Sequence, residues 1–170
     1  MSAWPDLDKL PEDLLLRAEP EPAHLFFDTS SLASWERSSR LIHQRGGGLI
    51  SAMVFGELLA ARPEPKHFHH VVARLRADHL LVADVDSDVM ETYWKLARPL
   101  QFDLPPLCGP GENRVSAKRR VLNDLLIFAT SLRHRRLLVT ENTRDFERFG
   151  LRDCWITLGE LAAAQPNMTR

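Results

Sequence analysis

NDLLIFATSLRHRRLLVTENTRDFERF, residues 123–149, carries a helix pattern, a strand pattern and a polar cluster in immediate succession. Leu122, Leu125, Leu126, Ala129 and Leu132 recur at helical spacing and form one apolar stripe, with the acid Asp124 near its start. Arg133, His134, Arg135 and Arg136 close the stripe, which suits the negative end of a helix dipole. Leu137, Leu138, Val139 and Thr140 then make a short β-prone run of the kind buried in parallel sheets. Glu141, Asn142, Thr143, Arg144 and Asp145 are bunched behind it, and Phe146 and Phe149 are placed to anchor the following turn on the core. Ligands of open α/β sheets sit at the carboxyl ends of strands, so this cluster is where chemistry is expected.

The same alternation extends outward in both directions. Upstream, Leu25-Phe26-Phe27 reads as a strand that ends in Asp28, followed by the helix-capping residues Thr29, Ser30 and Ser31. A helix over about 32–44 leads through Gly46-Gly47-Gly48 to a second strand at Leu49-Ile50-Ser51. Residues 52–60 are then apolar apart from Glu57, with Pro63 and Pro65 expected to end that helix. A helix over 66–77 burying Phe68, Val71, Val72 and Leu75, a strand over 80–83 and a helix over 86–100 follow. Pro105, Pro106, Gly109, Pro110 and Gly111 make 103–114 a loop. Downstream, residues 154–157 supply a fifth strand and 158–164 a last helix. The expectation is an α/β domain over 24–164, with about five parallel strands and helices on both faces. Residues 1–23 read as an appendage with a short helix beginning at Pro11, and 165–170 as a frayed tail.

One domain is what 170 residues ask for, and a net charge of −1 provides no global basic field for holding nucleic acid. Any polyanion must be held locally. Cys108 and Cys154 match neither a disulfide framework nor a metal-ligand pair, and a reducing cytoplasm fits them. Asp6, Asp8, Glu12 and Asp13 argue against a secretory signal, and no apolar run approaches the ~20 residues that span a bilayer.

Four acids fall at comparable places: Asp28 after the first strand, Glu57 on the helix after the second, Asp124 early in the stripe helix, and Asp145 after the fourth strand. Two such carboxylates ~4 Å apart repel by roughly 4 kcal/mol at an effective dielectric of 20. A divalent cation removes that conflict, and hard oxygen ligands favour Mg2+ or Mn2+ over zinc. Each acid also has a plainer reading. Asp28 suits a helix cap, Glu57 a salt bridge, Asp124 a helix-start acid and Asp145 a turn cap. His67 and His70 share a helical face, but no cysteine or acid motif completes a zinc site. Asp84, Asp86 and Asp88 open like a calcium loop, yet Val89 stands where that loop needs glycine.

FFDTSSL at 26–32, SAMVFGELLAA at 51–61, NDLLIFATSL at 123–132 and LLVTENTRDFERF at 137–149, in this order, resemble the PIN-domain nucleases, and within them the VapC-like toxins of toxin–antitoxin pairs. The resemblance implies a PIN fold and Mg2+- or Mn2+-dependent endonucleolytic cleavage of single-stranded RNA. It makes Asp28, Glu57 and Asp124 metal-binding acids, with Thr29 or Ser30 orienting them. The family places its fourth acid or amide variously after the position of Thr140, so Asn142 and Asp145 compete, Asp145 being preferred for its charge. Arg144 and the cluster Lys118, Arg119 and Arg120 are candidates for flanking phosphates. The resemblance also implies a homodimer held inactive by a small antitoxin. A PIN nuclease of RNA maturation or decay, and a non-catalytic RNA- or protein-binding PIN module, are the alternatives.

Overall fold

The computed structural model describes residues 25–61, 64–98, 108–149 and 151–164, so the expectations for 1–23, for 99–107 and for 165–170 lie outside the described residues. Five short strands form one all-parallel sheet: β1 (Leu25–Phe27), β2 (Gly48–Ser51), β3 (Leu80–Ala83), β4 (Leu137–Val139) and β5 (Trp155–Ile156), in the order β3-β2-β1-β4-β5. β1 and β4 lie at the middle and are buried along their whole length, which is why both are unbroken apolar runs. Their register pairs Leu25 with Leu137, Phe26 with Leu138 and Phe27 with Val139. The strand order reverses between them, and a crevice opens at such a switch point. Two backbone bonds carry the ladder past the strand ends: Asp28 N donates to Val139 O (3.2 Å) and Thr140 N to Ile156 O (2.9 Å). Asp28 and Thr140 are thereby pinned side by side at the carboxyl edge.

Helices pack around the sheet. The expected helix over 32–44 is two: α1 (Thr29–Leu32), capped by Asp28, and α2 (Trp35–Gln44). Ser38 Oγ donates to the carbonyl oxygens of Ser31 and Ser34, tying the turn between them. α3 (Ala52–Ala60) is capped by Ser51, whose side chain accepts from Val54 N at 3.1 Å. It stops at Ala60, ahead of both prolines expected to end it, and Pro65 instead opens α4 (Pro65–Ala77) at its first helical position. Phe68 of α4, expected in the core, is 46% exposed, whereas Val71 and Leu75 are buried. α5 (Ser87–Ala97) follows Asp86, which caps it by accepting from Val89 N at 2.8 Å.

α6 (Arg114–Arg133) is the longest of the described elements, and Asn113 caps it by accepting from Ser116 N at 2.9 Å. Asp124 is thus at mid-helix and not near its start, so the helix dipole does not account for an acid there. The buried face of α6 is Ala117, Val121, Leu125, Phe128, Ala129 and Leu132, while Leu122 and Leu126 of the expected stripe are only half-buried. After β4 the polar cluster opens a helix, α7 (Thr143–Phe149), and not merely a turn. Phe146 and Phe149 do anchor it: Phe146 packs edge-on to Phe128 (5.6 Å between centroids) and to Phe149 (5.2 Å), and lies against Trp155 (6.2 Å). A 3-10 turn at Arg152–Cys154 leads to β5, and α8 (Leu158–Ala163) ends the described chain behind a capping box of Thr157 and Glu160.

At Gly48, β2 runs tightly against β1. A Cβ there would meet Phe27 Cε2 at 2.7 Å and Leu25 O at 3.1 Å, so this strand position takes no side chain. Among the described residues no helix is long and apolar enough to cross a membrane.

Candidate active site

The carboxyl edge of β1 and β4 gathers all four acids singled out above, each delivered by a different segment. Asp28, 4% exposed, follows β1 and is saturated by donors. Ser31 N donates to its Oδ1 at 2.7 Å, Thr140 Oγ1 to its Oδ2 at 2.6 Å, and Ser30 Oγ lies 2.9 and 2.8 Å from the two oxygens. The helix-cap reading of Asp28 is therefore correct, and the cap also faces the other acids. Burial nonetheless raises its pKa, against the lowering by those hydrogen bonds.

Ser30 and Thr140 serve the next turn too. Glu141 N (2.9 Å) and Asn142 N (3.1 Å) donate to Ser30 Oγ, and Asn142 N donates to Thr140 Oγ1 (3.0 Å). That lock aims the Asn142 amide, whose Nδ2 reaches Asp124 Oδ2 at 3.2 Å and Asp145 Oδ2 at 3.1 Å. Asn142 and Asp145, competitors in the sequence, thus both stand beside Asp124. Glu141 turns away, its Oε1 accepting from Leu158 N at 2.8 Å at the start of α8.

Asp145, 2% exposed, forms an ion pair with Arg120, and the same guanidinium is bidentate to Glu112 through Nε (3.1 Å) and Nη2 (3.0 Å). Glu112 also accepts from Gly109 N at 2.9 Å, and these bonds, Arg120's first, hold its carboxyl down to about 2. Arg120 in turn has its pKa raised, above all by Glu112. Glu57 is half-buried on α3, where it accepts from Thr29 Oγ1 and from Asn123 Nδ2 (3.3 Å).

Asp124 feels the whole group. Burial pushes its carboxyl up to about 8, and the charges of Asp145, Asp28 and Glu57 add to the rise while Arg120 opposes it. An acid set at mid-helix among three others is an electrostatic conflict that the hydrogen bonds do not relieve. Beside it opens a cavity of about 390 Å³ lined by Glu57, Ser116, Arg119, Arg120, Asn123 and Asp124, with Val115 at its edge.

As the side chains lie, no three His, Cys, Asp or Glu residues among those described converge as a ready metal-ligand group. The cause is visible in the bonds: Asp145 is turned to Arg120, Glu57 to Thr29 and Asn123, and Asp28 to its cap and hydroxyl donors. In ligand type and charge the set suits a hard divalent cation: carboxylate oxygens, no thiolate, and an Asp124 whose ionisation its neighbours resist. Of the basic candidates, Arg119 and Arg120 line the carboxylate cavity, Lys118 lies one row over on α6, and Arg144 stands close to Gly109, within 3.5 Å of where a Cβ would be.

The sequence reading missed three participants: Glu112, Asn123 as a donor to Glu57, and Arg120 as the partner of Asp145. Asn123 adjoins Asp124 on one helix, so its place was open to inference. Arg120 meets Asp145 across 25 residues of chain, a separation that leaves no local pattern, and Glu112 joins the site only through Arg120. Comparison of the chain with protein-family models and with curated proteins finds no match.

Proposed function

We propose that this protein is a metal-dependent endoribonuclease of PIN type that cleaves single-stranded RNA by phosphodiester hydrolysis. The observation that carries the reading is the placement of Asp124 in a cleft at the switch point of a parallel sheet, close enough to Asp145, Asp28 and Glu57 that burial and their charges raise its pKa. Asp28, Glu57, Asp124 and Asp145 would hold Mg2+ or Mn2+. Bound there, the ion supplies Lewis-acid polarisation of a phosphate oxygen and a more acidic water. The chain's own part is positional. Thr140 and Ser30 orient Asp28, Thr29 and Asn123 orient Glu57, and the Asn142 amide holds Asp124 and Asp145 in register. Arg119 and Arg120 line the cavity and Lys118 the one beside it, and phosphates bound by this cluster and by Arg144 would make affinity fall as salt rises.

Within this reading the chain is a VapC-like toxin, a homodimer in the cytoplasm restrained by a small antitoxin; service in RNA maturation or decay is the variant of the same chemistry. A second reading, a non-catalytic RNA- or protein-binding module of the same fold, is favoured by one feature, the engagement of Asp145 with Arg120 where a cation would otherwise sit. Digestion of single-stranded RNA with Mg2+ or Mn2+ decides. Cleavage abolished by chelator and by Asp124→Asn supports the nuclease. RNA left intact, together with no calorimetric heat on Mn2+ titration, leaves the binding module.

A further inference from the structure

α6 presents two neighbouring rows of side chains to one trough. Ser116, Arg119, Arg120, Asn123 and Asp124 face the carboxylate cavity, and Lys118, Leu122 and Leu126 face a second cavity of about 460 Å³. Val115, Arg119 and Asn123 line both, so the two are continuous. The far wall of the second cavity comes from α3 and α5: Met53, Met90 and Tyr93. Its walls are apolar and include two methionines and a ring, surfaces that adapt to a flat guest. Its charged lining residues, Lys118 and Arg119, are both cationic. Met90 (44%) and Val115 (72%) are large apolar side chains left exposed at the trough, and the volume lies within the ~300–1,000 Å³ of small-molecule pockets. The fitting occupant is flat and apolar, with a negative charge attached on the side towards Arg119.

We propose that this second cavity receives an unpaired nucleobase of the strand whose phosphate lies at the carboxylate cavity, making Met90 and Tyr93 determinants of substrate choice. The inference rests on the nuclease reading and deepens it. Arg119 spans the two cavities and contacts the phosphate between them, while the Tyr93 ring and the Met90 and Met53 side chains form the seat for the base. A base held in a duplex is not available to this pocket, so the arrangement selects single strands.

The test is anisotropy of a short fluorescein-labelled single-stranded RNA on the full-length Asp124→Asn protein, which removes cleavage without touching the apolar cavity. Tyr93→Leu in that background should weaken binding about tenfold, the scale of one lost base-stacking contact, and Met90→Ser should weaken it less but measurably. An abasic strand of equal length should bind the parent as weakly as it binds these variants, and Arg119→Ala should weaken both strands. Circular dichroism checks the fold, and Met90, being exposed, is the safer of the two sites. If Tyr93→Leu and Met90→Ser bind the labelled RNA as the parent does while Arg119→Ala loses it, the base pocket is wrong and the nuclease reading survives. If no version binds RNA, both fall. If sedimentation shows Met90→Ser turning a dimer into a monomer, the cavity belongs to a second copy of the chain and the base proposal is overturned.

Discussion

Arg120 of α6 donates to Asp145 of α7, and this ion pair sets a fixed positive charge among four carboxylates. The guanidinium is held from behind by Glu112 (3.0 Å), so it is positioned rather than free to roam. Arg120→Ala leaves Asp145 buried beside Asp124 with that counter-charge gone. With the arginine side chain 31% exposed, the cost falls between a surface pair at ~1 kcal/mol and a buried one at ~3–5 kcal/mol, so about 2–3 kcal/mol. Urea unfolding without metal should show the loss. Added Mg2+ or Mn2+ should recover part of it, since a divalent cation takes over the neutralising charge.

Asp124 dictates how stability responds to pH. Its folded pKa, about 8, lies above its ordinary value of 3.8, so between those limits the native state keeps a proton that the unfolded chain gives up. Stability therefore falls as pH rises from about 4 to about 8, and Asp28, also raised, adds to the fall. The total for Asp124 is on the order of a few kcal/mol. Thermal unfolding of the metal-free protein should show a declining Tm across that window. Asp124→Asn should flatten the decline and be the more stable protein near pH 8.

The strands were legible because parallel strands buried on both faces are short unbroken apolar runs, and Leu25-Phe26-Phe27 and Leu137-Leu138-Val139 could be little else. The start of α6 was not, since its first turns, Arg114 to Arg120, are mostly polar surface lying ahead of the apolar stripe that marked the helix from Leu122 on. Asn113 was the signal that could have placed it. The break between α1 and α2 depends on Ser38 reaching back to Ser31, a tertiary bond that no periodicity announces. In the candidate site, Asp28, Glu57, Asp124 and Asp145 were legible from their places relative to strands and helices. Their order of burial and the Arg120–Asp145 pair were not, because an ion pair between segments 25 residues apart leaves no trace in local spacing.

Asp78 offers a contrast between scaffold and site. It is 3% exposed at the end of α4 and accepts from Trp35 Nε1 (2.5 Å), Ser39 Oγ (2.6 Å) and His43 Nε2 (2.9 Å), fastening α2 to the turn that leads into β3. That turn enters the amino end of the sheet, opposite the carboxylates. Asp78→Ala removes the buried acceptor shared by two half-buried donors, Trp35 and Ser39, and the exposed His43, and should cost about 2 kcal/mol. Tm should fall clearly, while RNA cleavage at a temperature where the variant stays folded should match the parent.

Thr140 separates orientation from packing. Its buried hydroxyl donates to Asp28 Oδ2 at 2.6 Å and accepts from Asn142 N at 3.0 Å, joining the acid after β1 to the amide that holds Asp124 and Asp145. Thr140→Val keeps the shape and deletes both bonds, whereas Thr140→Ser keeps the hydroxyl and deletes a methyl group. Asn142 N retains Ser30 Oγ, so the backbone turn persists and the direct loss falls on Asp28. The valine variant should lose about 1–2 kcal/mol of stability. If Thr140 orients Asp28 for chemistry, kcat for RNA cleavage should drop at least tenfold in Thr140→Val and recover most of the way in Thr140→Ser, with KM little changed. Equal loss in both variants would assign Thr140 to packing alone and leave Ser30 as the hydroxyl that positions Asp28.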